Sequence, residues 1–191
     1  MSWFFIADEH YWHDKVRLYA KRPFSTVEEM NQTLIDAHNS IVKPGDITVH
    51  GGDFSFGNKA KAEAILKQLN GNHVLIRGSH DGWMNGSYHE RWEKTIEDLH
   101  LVVDHYPARS WPKSHYGSCQ LHGHCHGGMD PIGKQWDIGV DNKRTAIIVP
   151  DYISWAPLNF EQIKRIMMGQ EETPRHHPDG ASEDDDGQSD D

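Results

Sequence analysis

Five short apolar runs in this chain each end on a cluster of Asp, His and Gly. Residues 2–7 (SWFFIA) lead into Asp8-Glu9-His10, and 47–50 (ITVH) into Gly51-Gly52-Asp53. Residues 73–76 (HVLI) lead to Gly78-Ser79-His80-Asp81, 101–104 (LVVD) to His105, and 118–121 (SCQL) to His122-Gly123-His124-Cys125-His126. Short apolar runs bounded by polar residues read as buried strands. In open α/β sheets the loops at the carboxyl ends of strands gather on one edge, where ligands bind. A near copy of the third cluster, Gly71-Asn72-His73, enters its strand at the amino end and is therefore expected to be only a turn.

Between these strands the spacing predicts helices. Ser25-Thr26-Val27-Glu28 offers a cap for a helix over Val27–Ile41, and Ile65, Leu66 and Leu69 share a face over 59–69. Residues 90–99 read as a helix, 135–138 and 146–149 as strands, and 158–168 (LNFEQIKRIMM) as a closing helix. Early alternation of strand and helix, with strands dominating later, gives an α/β or α+β fold on a two-sheet core.

The 191 residues suit one domain. The formal charge of −10 is unevenly spread: from Gly169 onward there are nine acids and one Arg, leaving 20 acids against 18 bases before it. Residues 1–168 are thus expected to form the domain and 169–191 an acidic disordered tail. The near-neutral body argues against a dedicated nucleic-acid groove, leaving nucleic acid as substrate at most. No apolar run reaches 18 residues, so no membrane span is expected, and a protein partner is not legible. Two cysteines, Cys119 and Cys125, make no disulfide framework and fit a reducing cytoplasm.

Of 15 His, 13 precede the tail, which points to metal chemistry. Carboxylate and imidazole together suit Mn, Fe, Zn, Co or Ni. Asp53, on a loop opened by two glycines, can offer one oxygen to each of two ions. Two ions roughly 3.5–4 Å apart can clamp a phosphate and activate a hydroxide between them. His13, His50, His115 and His122 read as supporting residues, with His50 turned away from the site. Arg22 and Arg77 could fork onto phosphate oxygens or form ordinary ion pairs.

The ordered set Asp8-x-His10, Gly52-Asp53, Gly78-Ser79-His80-Asp81, His105 and Gly123-His124-x-His126 resembles the calcineurin-like metallophosphoesterase superfamily, in particular its small bacterial and phage branch. Flanking words (RPFSTVEEMN, GGDFSFG, DHYPARSW, WDIGVD) agree with it. The resemblance runs from the first strand to about Asp141. It implies a four-layer αββα sandwich of two mixed sheets flanked by helices. It also implies two divalent transition-metal ions, Mn foremost. The first would be held by Asp8, His10, Asp53 and His126, the second by Asp53, Ser79, His105 and His124. His80 would face the leaving group, with Asp81 orienting it or its loop, and Arg22 is the candidate substrate contact. The implied activity is hydrolysis of a phosphate ester, a diester or small phosphorylated metabolite, by a metal-bridging hydroxide. The family has Asn where this chain has Ser79, a shorter and weaker donor. The alternative expectation is therefore a metal-binding relative with weak or no activity.

Overall fold

The computed structural model describes residues 1–86 and 88–173. Eight strands form two sheets. The first contains β1 (Trp3–Ile6), β2 (Ile47–His50), β3 (Asn72–Leu75) and β8 (Leu158–Asn159), in the order β3-β2-β1-β8. The second contains β4 (Arg91–Ile96), β5 (Leu99–Asp104), β6 (Cys119–His122) and β7 (Gln135–Asp137), paired in chain order. Both sheets are mixed. β1, β2 and β3 run parallel with β8 antiparallel, and β5, β6 and β7 run parallel with β4 antiparallel. The sheets face each other across a core of Phe5, Val49, Leu101, Val103, Leu121 and Trp136. Each such buried side chain contributes roughly 1.5–3 kcal/mol.

A short helix α1 (Val16–Tyr19) is followed by α2 (Val27–Ile41) and α3 (Lys59–Leu66). The last two bury Met30, Leu34, Ile35, Ala62 and Ile65 with Ile6 and Phe54, forming a helical layer outside the first sheet. The cap of α2 is Thr26 rather than Ser25: its hydroxyl accepts from the Glu29 N–H, and Glu29 reaches back to the Ser25 N–H. Helix α5 (Phe160–Met168) lays Phe160, Ile163, Ile166 and Met167 into the inter-sheet core.

Three sequence expectations give way. Residues 90–99 are not helical: β4 pairs antiparallel with β5, from Arg91 opposite Asp104 to Ile96 opposite Leu99. Its Glu and Lys residues suggested a helix, and half-buried Trp92 and Ile96, four apart, fit either element; the pairing with β5 decides, and Trp92 packs on Trp3 with ring centroids 5.3 Å apart. Residues 146–149 lie mostly in a short helix, α4 (Arg144–Ile148), whose buried Thr145 receives the Trp136 indole N–H. The closing helix begins only at Phe160. Leu158 and Asn159 extend the first sheet, and Asn159 then caps α5 through a capping box with Gln162. Of the expected tail, Thr173 is buried and accepts from the Lys134 N–H, while residues 174–191 lie outside the described residues. Among the described residues no helix is long and apolar enough to cross a membrane.

Candidate metal centre

The parallel strands of both sheets bring their following loops to one edge. Asp8 and His10 follow β1, Asp53 follows β2, and Ser79, His80 and Asp81 follow β3. His105 follows β5, and His124 and His126 follow β6. Two groups of ligand atoms form there, Asp8 with His10 and His126, and Asp8 with Asp53 and His105. The Asp53 Oδ2 lies 3.6 Å from the His10 Nε2 and 3.4 Å from the His105 Nε2, between the two groups.

The imidazoles are aimed by their other nitrogens. The Nδ1 of His105 is 3.1 Å from the Gly51 carbonyl, that of His126 is 2.6 Å from Asp141 Oδ2, and that of His10 is 3.2 Å from His13 Nδ1. With Nδ1 satisfied, the buried Nε2 atoms of His10 and His105 are left without a hydrogen-bond partner, as is the Asp8 Oδ2. Three orphaned buried donor atoms around one point fit divalent cations, because unpartnered buried polar atoms are otherwise costly.

Charge gives the same fit. Asp8, Asp53, Asp137 and Asp141 are all nearly sealed from solvent or partly so, and Arg22 is the permanent cation bonded among them. Burial, then the nearby Asp137, pushes the Asp8 carboxyl well above its ordinary range. Burial also pushes Asp53 up, but the adjacent His105 ring and the His80 N–H outweigh it and hold the carboxyl below the usual range. Burial drives His10 down to about 2, so it is a neutral imidazole with a free lone pair.

Local backbone is bent to suit. Asp8, His10, Asp53, His124 and His126 all have φ between +48° and +70°, the left-handed region that L-residues rarely occupy. Gly78 allows its loop to press on Asp53, since a Cβ there would stand 2.2 Å from the Asp53 nitrogen. Gly52, at φ +96°, lies under the His105 ring in the same way.

The remaining candidates are arranged as follows. Ser79 donates its hydroxyl to both Asp53 oxygens, at 3.1 and 3.3 Å, and its neighbour His80 donates its backbone N–H to Asp53 Oδ1 at 2.7 Å. The His80 side chain is 41% exposed, with Nε2 4.0 Å from Asp53 Oδ2. Asp81 accepts from the N–H groups of Phe54, Ser55 and Gly78 and from the Trp83 indole, so it ties two loops together, and none of these bonds is to the His80 ring. The exposed His124 ring packs edge-on against His105 with centroids 5.2 Å apart, and its N–H donates to Asp8 Oδ1.

Arg22 departs from its expected role as a substrate contact. It is buried, and its donors go to both Asp141 oxygens, to the carbonyls of Asp8 and Glu9, and to Met30 Sδ. That uses all five N–H groups, leaving none for a phosphate. Asp141 and Asp137 were missed by sequence reasoning. Asp141 aims His126, and Asp137 accepts from the N–H groups of Gly127 and Gly139. The quoted word WDIGVD carries both, but it gives no hint of their partners. The false copy at Gly71 starts β3, and His73 turns to His50 instead of the centre.

No protein-family model matches the chain. It is 39% identical over 170 residues to an uncharacterized protein of Methanocaldococcus jannaschii, covering 86% of this chain and 90% of the other. Among solved structures, a protein of unknown function from Aquifex aeolicus superposes with a TM-score of 0.63 at 18% identity, over 86% of this chain and 98% of that one. A phosphoesterase from E. coli aligns at a TM-score of 0.40 and 15% identity, over 73% and 79% of the two chains.

Proposed function

We propose that this chain, which belongs to one family with the uncharacterized M. jannaschii protein, is a metal-dependent phosphoesterase of the calcineurin-like metallophosphoesterase superfamily. The observation that carries the reading is the convergence of orphaned Asp8, His10 and His105 atoms on one edge of the sandwich. Asp8, His10 and His126 would hold one ion, and Asp53 and His105, with Asp8, Ser79 and His124 beside them, a second. When bound, such ions lower the pKa of water and bear the charge that develops on phosphoryl oxygens.

The protein's own residues do the rest. Asp141 and the Gly51 carbonyl fix the imidazole tautomers, so His126 and His105 present Nε2 inward. Asp53 spans the centre, held by the His80 N–H and the Ser79 hydroxyl. His80, on the open side, is placed to give a proton from its ring to the departing ester oxygen. Among the described residues no separate capping domain stands over the edge, which favours an accessible phosphodiester or a small phosphorylated metabolite.

The test is hydrolysis of bis-p-nitrophenyl phosphate with added Mn. We expect turnover that EDTA abolishes and Mn restores. No metal-dependent release from this ester or from a panel of phosphate monoesters would refute the reading.

A further inference from the structure

Beside His126 and Asp141 the surface opens into a cavity of about 400 Å³, walled by Tyr19, Lys21, Lys143 and Arg144. That volume is within the range of small-molecule sites, roughly 300–1,000 Å³. Its charge is positive and largely unspent. Arg144 is committed to Asp130 and the Met129 carbonyl, and Asp141 to Arg22 and His126. The exposed side chains of Lys21 and Lys143 make no ion pair or hydrogen bond among the described residues. Two unneutralised ammonium groups at one cavity stand out in a body whose acids slightly outnumber its bases.

The arrangement is built in. Lys21 directly precedes Arg22 and Lys143 follows Asp141 by two, so the two-pronged Arg22–Asp141 pair, at 2.9 and 2.8 Å, clamps both segments to the same mouth. Lys21 is held at φ +54°, a conformation that extended or helical backbone would not give it. An anion in this cavity would lie next to the centre, because His126 belongs to both.

We infer that the cavity receives a second phosphate of the substrate, so the preferred phosphate esters carry another phosphoryl group beyond the scissile one. Two ammonium groups match a dianion whose oxygens can meet both. The inference rests on the phosphoesterase reading and adds the substrate class to it.

The test compares two chromogenic esters that differ only in the second phosphate: thymidine 5′-(p-nitrophenyl phosphate) and its 3′-phosphorylated form. With Mn, the parent protein should favour the 3′-phosphorylated ester by about tenfold or more in kcat/KM, carried mainly by KM and shrinking as salt screens the lysines. The Lys21→Gln/Lys143→Gln protein should bring that ratio close to one while hydrolysing the one-phosphate ester as before. A ratio near one in the parent, or the same ratio in both proteins, overturns the inference. A second arm reads binding without chemistry, as the thermal shift of each protein with thymidine 3′,5′-bisphosphate in EDTA. A shift in the parent that the double variant loses supports the cavity even if neither ester is cleaved, in which case only the phosphoesterase reading falls. Equal shifts in both proteins, or none in either, overturn the inference.

Discussion

Arg22 and Asp141 are 119 residues apart in sequence and meet side by side, Nε to Oδ1 at 2.9 Å and Nη2 to Oδ2 at 2.8 Å. The same Asp141 Oδ2 meets His126, and the same guanidinium holds the Asp8 and Glu9 carbonyls. Arg22→Ala should therefore cost about 3–5 kcal/mol in urea unfolding, because the buried Asp141 carboxylate loses its guanidinium and keeps the His126 ring, while the Asp8 and Glu9 carbonyls lose their donor. It should also weaken Mn binding. Arg22→Lys should recover little, since an ammonium cannot reproduce the fork. A drop below 1 kcal/mol for Arg22→Ala would show that the pair does not hold these loops.

Ser79 bears on how the ions bind. Its hydroxyl reaches the Asp53 carboxylate and so supports the second group only indirectly. Calorimetric titration with Mn should show two steps, the tighter assigned to Asp8, His10 and His126. Ser79→Asn should leave the first step alone and tighten the second roughly 10–100-fold, the scale typical of groups supporting a metal site. Two equally tight steps in the parent would contradict this order.

His80 is exposed, so replacing it should not disturb the fold. His80→Ala should retain both ions by metal analysis and lose about 10²–10⁴-fold in kcat, the range for a general acid. The loss should be greatest for alkoxide leaving groups and smallest for p-nitrophenolate, which needs little protonation. The same loss for both kinds of ester would remove His80 from proton transfer.

Acid should weaken the fold through a histidine cluster under α2. Burial lowers His38 to about 4, His50 to about 3 and His73 to about 4, against about 6.5 in the unfolded chain. Because the fold holds them neutral, their contribution is complete above pH 6.5 and is lost as pH falls towards 4. Glu9 acts in the opposite sense. Burial raises it to about 8, so its contribution is complete below about 4.5 and declines as pH rises towards 8. A protonated Glu9 then donates to His50 Nδ1, and His50 Nε2 donates to His73 Nδ1 at 3.0 Å. Urea unfolding in EDTA should show His73→Asn losing about 1 kcal/mol less than the parent between pH 7 and 4.5, after discounting for its part exposure. Identical losses would clear His73 of the effect.

The residues that gather at the shared edge were legible because each sits directly after an apolar run, so strand direction alone sends it there. What supports the ligands was not. Nothing local ties Arg22 to Asp141 or Glu9 to His50; the pairing of β1 with β2 brings Glu9 to His50, and the Ala7–Gly139 bridge brings the Asp141 segment beside the first strand. Residues 91–96 were misread because exposed Glu93 and Lys94 carry helical propensity and half-buried Trp92 and Ile96, four apart, suit a helix as well as a strand, so only the pairing with β5 decides. Short α4 and two-residue β8 are set by tertiary contact, with Thr145 on Trp136 and Leu158 beside Phe5. Too few residues are involved there for periodicity to register.

Five would-be ligands hold left-handed backbone, at a cost of order 1–3 kcal/mol apiece. Exchanging any of them for glycine would relax the chain while discarding a donor. Selection for heat tolerance alone would thus favour such exchanges and would strip donors from this edge. A lineage that keeps all five has been held to them by something other than endurance.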